Sequence, residues 1–426
     1  MASDAARDLW RLGNAQSAEG RFEAAIESYG AALAEDPTLA EAHLNRGNAL
    51  KELEHWAEAL AAYDAVLRLR PGDAVALSNR GIVLKELHRF DEALGDFDRA
   101  IACDPTNITA RYNRGLLALL LGRLPEGFDD YETRWLDPRG SLHALRRDFT
   151  APRWNGDEPL GGRRILLYAE QGFGDTLQFC RYIPTIAAAG AHVVLEVPAA
   201  LVALLADLEG VTRIVAAGRA LPTFDCHCPL MSLPFAVGTT LATIPHRIPY
   251  LHAEAAKVQA WRARLAGLPR PWVGLAWAGS PVHRNDRNRS MALHTLLTAL
   301  PAELRYVSLQ KFVPASDRAV LDAAGRLHDW TDELHDYSDT AALIEALDVI
   351  VAVDTSVAHL AGSLGKPCWV MLPFHPDWRW LLDRRDSPWY PSLVLFRQPA
   401  RGDWDDVLVR VAAALRQCMS DPAPAD

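Results

Sequence analysis

Asp175 closes the run Gln171-Gly172-Phe173-Gly174-Asp175, between the apolar stretch Arg163 to Glu170 and an apolar-periodic segment from Thr176 to Ala189. A carboxylate at such a strand-to-helix turn has two uses. Aspartate is a favoured helix cap, and the same turn aims it into a crevice, where it can take the proton of an attacking hydroxyl. The two roles are compatible. Gly172 and Gly174 allow close approach of a ligand, although the loop departs from the full G-x-G-x-x-G dinucleotide fingerprint. A second turn of this kind is Asp354-Thr355-Ser356-Val357-Ala358-His359-Leu360-Ala361-Gly362, where the wholly apolar Val349 to Val353 gives way to a helical pattern. A helix N-terminus gathers unpaired N–H donors and a partial positive charge, which suits a diphosphate. Thr355 and Ser356 add hydroxyl donors there, whereas Asp354 repels phosphate and reads as a cap or a partner for sugar hydroxyls. His359, one turn in, either reaches the same crevice or packs structurally.

Three further groups bear on chemistry. Arg284, Arg287 and Arg289 fall in His283 to Ser290, just past the strand ending Ala276-Trp277-Ala278-Gly279-Ser280. Guanidinium pairs bidentately with phosphate oxygens, so the run is either a phosphate clamp or an exposed charged loop. Cys226-His227-Cys228 lacks the second ligand pair of a zinc site, and no metal is expected; the other reading is a buried strand end. Trp378, Trp380, Trp389 and Tyr390 either cover a cleft or fill a core.

The elements that position these residues alternate strand and helix. Residues 163–250 open as a βαβ unit with a second strand at His192 to Val197. Residues 251–426 carry strands at Trp272 to Ala278, Arg305 to Gln310 and Val349 to Val353, with helices at Leu293 to Leu300 and Asp339 to Ala346. Both read as doubly wound α/β domains, whose ligands collect at the carboxyl ends of the strands. Residues 141–162, with Pro152, Pro159, Gly156, Gly161 and Gly162, read as a linker.

Residues 1–140 follow another grammar. Gly13, Gly47, Gly81 and Gly115 recur at 34 residues, followed in phase by Ala25, Ala59, Ala93 and Gly127 and by Tyr29, Tyr63, Phe97 and Tyr131; Pro37, Pro71 and Pro105 close three units. This is the period of a tetratricopeptide repeat, a stack of helical hairpins with units at 6–39, 40–73, 74–107 and a degenerate 108–137. Such arrays present an extended binding face. Asn45-Arg46, Asn79-Arg80 and Asn113-Arg114 precede three of the glycines, either as a ladder for peptide backbone or as inter-repeat hydrogen-bonding groups.

Composition bounds the functions. The chain has 426 residues, a formal charge of −10 and six scattered cysteines. An acidic balance argues against nucleic acid as a partner, and the cysteine usage fits a reducing compartment. No apolar run reaches the ~18 residues of a membrane span, and Met1 to Arg7 has no apolar segment behind it, so a cytoplasmic protein is expected.

Gly172-Phe173-Gly174-Asp175 and Asp354 to Ala361, with Gly365-Lys366-Pro367 behind, resemble the two signature segments of glycosyltransferase family 9, the heptosyltransferases, over about residues 163 to 420. With the repeats in front, the layout is similar to the O-GlcNAc transferases. The resemblance implies a GT-B fold of two Rossmann-like domains and inverting, metal-independent transfer from a nucleotide-diphospho-sugar. No other cofactor is implied. Asp175 matches the family's catalytic base, with the donor held by Gly172, Gly174, Arg284, Arg287, Arg289, Asp354, Thr355, Ser356 and His359. The family carries a lysine where this chain has arginines, and it carries no repeats, so neither an ADP-heptose donor nor a lipopolysaccharide acceptor follows. The expected acceptor is a protein selected by the repeats. A glycolipid or polysaccharide precursor, and a non-catalytic scaffold, are the alternatives.

Overall fold

The computed structural model describes residues 4–137, 146–282 and 285–420. The chain divides into two compact units, Met1–Arg146 and Arg147–Asp426. Among the described residues of the first, eight helices form four hairpins: α1 (Asp4–Ala18), α2 (Phe22–Glu35), α3 (Ala40–Glu52), α4 (Trp56–Leu69), α5 (Ala74–Glu86), α6 (Phe90–Cys103), α7 (Ile108–Leu120) and α8 (Leu124–Tyr131). Small residues decide how closely each pair packs. A side chain at Gly13, Gly47 or Gly81 would meet the ring of Tyr29, Tyr63 or Phe97 at 2.5–2.7 Å, so each glycine is the seat of the aromatic sixteen residues on. Those three rings are fully buried, and each contributes the large apolar area by which aromatics dominate such cores. Asp73 and Asn107 start α5 and α7 by accepting the N–H groups of Ala76 and Ala110, both at 2.9 Å, while the second helices α2, α4 and α6 each end two residues before Pro37, Pro71 and Pro105.

The second unit holds two wholly parallel sheets. Its elements run β1 (Arg164–Tyr168), α9 (Phe173–Phe179), α10 (Ile183–Ala188), β2 (His192–Val197), α11 (Ala199–Leu205), β3 (Val211–Ala216), β4 (Cys226–Pro229), α12 (Leu233–Ala236), α13 (Ala255–Leu265), β5 (Val273–Ala276), α14 (Asp286–Arg289), α15 (Leu293–Ala299), β6 (Tyr306–Ser308), α16 (Arg318–Ala323), β7 (Leu327–His328), α17 (Tyr337–Ala346), β8 (Val349–Val353), α18 (Ser356–Ser363), β9 (Cys368–Leu372), β10 (Leu393–Arg397) and α19 (Trp404–Ser420). The first sheet has the order β3-β2-β1-β4 and the second β10-β9-β8-β5-β6-β7. Every residue of β5 and β8 is buried, as sheets covered on both faces require. The second order is that of a complete doubly wound sheet, with its reversal between β5 and β8. In the first sheet the reversal lies between β1 and β4. The strands β3, β7, β9 and β10 and the helices α11, α12, α13, α14, α16 and α19 were not among the elements expected from the sequence, and β4 was expected only as a buried strand end. The expected helix over Thr176 to Ala189 is broken into α9, a 3-10 turn at Cys180–Tyr182, and α10, which carries Pro184 in its first turn.

Candidate functional site

Both reversal points carry the turns singled out by residue type. Beyond β1, Gly172 holds the cap position of α9, and Asp175 is the helix's third residue rather than its cap. Its Oδ2 accepts the Gly172 N–H at 2.8 Å, so the carboxylate closes the first turn from inside. Its Oδ1 accepts from Nη2 of Arg379 at 2.5 Å. Arg379 is 7% exposed; it also donates to Asp377 Oδ1 at 2.7 Å and lies 4.3 Å from the Trp378 ring centre. Asp175 is thus tied to the loop that follows β9. Sequence reasoning missed Arg379. The signal was a charge inside an otherwise apolar Trp378-Arg379-Trp380, where burial of the rings brings the guanidinium inside with them. Those aromatics are core: Trp378, Trp380, Trp389 and Tyr390 are all buried, which removes the cleft-cover alternative.

Beyond β8, Thr355 holds the cap position of α18 in extended conformation, and its hydroxyl is buried without a hydrogen-bond partner among the described residues. Asp354 therefore precedes the cap. Burial and the neighbouring Asp377 carboxylate push its pKa up to about 6, against the pull of Arg289. Ser356 Oγ shares a 2.8 Å hydrogen bond with Tyr337 Oη, and Tyr337 lies 5.0 Å from the ring of Phe173. The two helix starts meet here. A side chain on Gly174 would come within 2.8 Å of His359 Cδ2 and 3.5 Å of Ser356 Cα. His359 is buried, its Nδ1 paired with Tyr390 Oη at 3.0 Å and its ring stacked on Trp380 at 5.3 Å. Desolvation, then Arg379, Arg181 and Arg289, hold its pKa well below the usual value, so it is a neutral wall residue. The structure thus places His359 in the packing between α9 and α18.

The arginines part company. Arg284 lies outside the described residues, and Arg287 on α14 is exposed. Arg289, at the end of α14, donates to the Asp354 carbonyl at 2.9 Å and to Asp286 at 3.3 Å. Its loop is pinned from below. Gln310 Oε1 accepts the N–H groups of Trp277 and Ala278 at 3.1 and 3.0 Å, and the Gly279 N–H reaches Ser290 Oγ at 2.8 Å. Gly172, Gly174, Asp175, Arg289, Asp354, Thr355 and Ser356 thus gather where the two sheets' reversal points face one another. Cys226-His227-Cys228 is β4 itself. Burial, Arg153 and Arg147 hold His227 down to about 4, and no group of metal-ligating side chains is found among the described residues.

In the first unit the Asn-Arg pairs mostly bond within the array. Asn45 and Asn79 donate to Asn14 and Asn48 of the preceding hairpin at 2.7 and 3.0 Å, and Tyr29 and Tyr63 donate to the same two acceptors. Asn113 finds Ile82 at the matching position and donates instead to the Thr109 carbonyl at 2.9 Å. Arg80 pairs with both oxygens of Asp96 at 2.6 and 2.7 Å and with Asp64 at 2.6 Å. Arg114 repeats this with Asp130 and Asp98 at 2.6–2.9 Å. Asn45, Asn79, Arg80 and Arg114 thus each make the inter-repeat or inter-helix hydrogen bonds of the second reading, with a partner at a fixed repeat offset. Arg46 differs, since glycine and alanine stand at the offsets of its carboxylates.

A TPR-repeat family model matches residues 13–54 and a tetratricopeptide-repeat model matches residues 47–112. The N-terminal unit is a tetratricopeptide-repeat array. Protein FlbA of Caulobacter vibrioides (strain ATCC 19089 / CIP 103742 / CB 15) is 27% identical over 297 residues, covering 64% of this chain and 49% of its own. The chain thus spans about half the length of that curated relative, and the likeness, covering 64% of this chain, is longer than the first unit and so includes part of the second. Among solved structures, the first TPR of Spaghetti (RPAP3) bound to HSP90 peptide SRMEEVD is 26% identical, covering 27% of this chain and 92% of its own, with a TM-score of 0.27. MamA protein is 22% identical over 33% of this chain and 78% of its own, with a TM-score of 0.30. No helix of the described residues is long and apolar enough to cross a membrane.

Proposed function

We propose that the second unit is a GT-B glycosyltransferase taking a sugar from a nucleotide-diphospho-sugar with inversion, and that the array selects a protein acceptor. What carries this reading is the meeting of two helix starts at the reversal points of two parallel sheets, one bearing Asp175 and the other Thr355 and Ser356. In the reaction, Asp175 takes the proton of the acceptor hydroxyl as its oxygen attacks the anomeric carbon. The bond from that carbon to the leaving diphosphate breaks on the opposite face, and its electron pair stays with the diphosphate. The N-terminal N–H groups of α18, the unpartnered Thr355 hydroxyl and Arg289 face the charge that develops there. Preorganised donors of this kind usually supply the larger share of rate. Arg379 keeps the carboxylate in one orientation.

The experiment is a thermal-shift and hydrolysis survey of the full chain with ADP-, UDP-, GDP-, CMP- and dTDP-sugars. One donor class is expected to raise the midpoint, because a ligand bound only by the folded state stabilises it. No response to any donor would instead favour a repeat scaffold, a reading supported by the occupation of Asp175 by Arg379.

A further inference from the structure

Asp175 is held from two sides. One oxygen takes the Gly172 N–H of its own turn, and the other takes Nη2 of Arg379 from the loop between β9 and β10. A carboxylate offers about four lone-pair sites, so each oxygen keeps one for an acceptor hydroxyl while the orientation of the group is set. Arg379 is in turn fixed by the residue two before it. Asp377 Oδ1 accepts both the Arg379 backbone N–H at 3.0 Å and Nη1 at 2.7 Å, which leaves Nη2 for Asp175. Trp378 and Phe179 pack against the guanidinium, their ring centres 4.3 and 5.8 Å from its carbon. The Arg379 side chain is 9% exposed, against 33% for Asp377.

The loop that carries this pair is held in one shape. Asp377 caps the 3-10 turn Trp378–Trp380. From β10, Arg397 donates Nη2 to the Trp380 carbonyl at 2.5 Å and Nε to the Arg384 carbonyl at 2.9 Å. Leu381, buried directly after the turn, has φ 53° and ψ −164°, a combination that residues bearing a Cβ rarely adopt. Such a backbone persists only where its surroundings over-determine it, and outliers of this kind cluster at functional sites.

We propose that Asp377 is a positioning residue which, through Arg379, fixes the direction of the Asp175 carboxylate toward the acceptor hydroxyl. The inference rests on the reading of Asp175 as the base, and it names what aligns that base. A cap needs only the backbone N–H of Arg379. Here the same oxygen also takes the side chain, and that side chain ends on the carboxylate to which the mechanism gives a proton. Alignment of this kind is steep in its effect, since a displacement of about 1 Å can cost about 10²-fold in rate.

The test is single-turnover hydrolysis of ADP-, UDP-, GDP-, CMP- and dTDP-sugars by the full chain, with water as the acceptor and donor affinity measured in parallel. Asp377→Ala is expected to slow the rate at saturating donor about tenfold or more, an alignment loss, without weakening donor binding. Asp377→Asn, which keeps the accepting oxygen, should recover most of that loss. Arg379→Ala should match Asp377→Ala and regain rate with added methylguanidinium. In an Asp175→Asn background neither alanine change should lower the rate further, because residues that act as one unit are non-additive; a merely structural role would lower it again. Should Arg379→Ala fail to fold, Asp377→Ala, at a third-exposed position, carries the test. An unchanged rate in Asp377→Ala, or a further fall when it is combined with Asp175→Asn, overturns the proposal and leaves the transferase reading standing. A wild type that turns over none of the donors overturns both.

Discussion

Asp354 and Asp96 show how differently a buried carboxylate is used in the two units. Asp354 sits beside Asp377 with its pKa raised to about 6. The sign follows directly: below about pH 6 it is neutral and tolerates a diphosphate, and as pH rises through 6 it gains the charge that repels one. Affinity for the nucleotide-sugar is therefore expected to fall roughly fivefold or more between pH 5 and 7.5, about 1 kcal/mol being the low end of like-charge repulsion at contact range. Asp354→Asn should flatten the curve; a wild-type titration with no inflection near 6 would refute this. Asp96 is 3% exposed and fully paired with Arg80. Asp96→Ala strands a half-buried guanidinium and is expected to cost about 2–3 kcal/mol by urea denaturation. At this scale the sequence was legible in part. Asp175, Thr355 and Ser356 could be picked out because polar residues at strand-to-helix turns are few. Arg379 could not, because its partner lies 204 residues away and nothing local marks the contact.

Elements were legible where period or burial is strong. Glycines facing aromatics at a fixed offset define α1 to α6, and the all-apolar Val349 to Val353 reads as β8 without ambiguity. The short strands β4 and β7 carry four and two residues and leave almost no pattern. β3 is half exposed and carries Thr212 and Arg213 in its middle, so hydropathy hides it. The approach of α9 to α18 depends on pairing across the unit, which no window of sequence contains. Its tightest point is Gly174 against His359. Gly174→Val is expected to push the two helix starts apart, costing about 1–3 kcal/mol of stability, and to weaken nucleotide-sugar binding. Native affinity and an unchanged melting temperature in that variant would show that the close approach is dispensable.

For the whole molecule, the sequence resolves two kinds of order: a one-dimensional stack stabilised by neighbours, and an α/β unit built from long-range parallel pairing. Each is suited to one half of the proposed reaction, acceptor choice and sugar transfer. A chain lacking residues 1–140 is expected to keep its thermal shift with the nucleotide-sugar and to lose transfer to protein acceptors; undiminished acceptor transfer would remove the array from the reaction. The claim on which the rest depends is that Asp175 acts on the acceptor hydroxyl. The most direct measurement is the single-turnover rate of sugar transfer or hydrolysis by Asp175→Asn beside the wild type, at saturating donor, with donor affinity measured in parallel. The account requires a fall of about 10²–10⁴ in rate with donor affinity kept within about threefold, a change worth less than 1 kcal/mol. An unchanged rate in Asp175→Asn would contradict it.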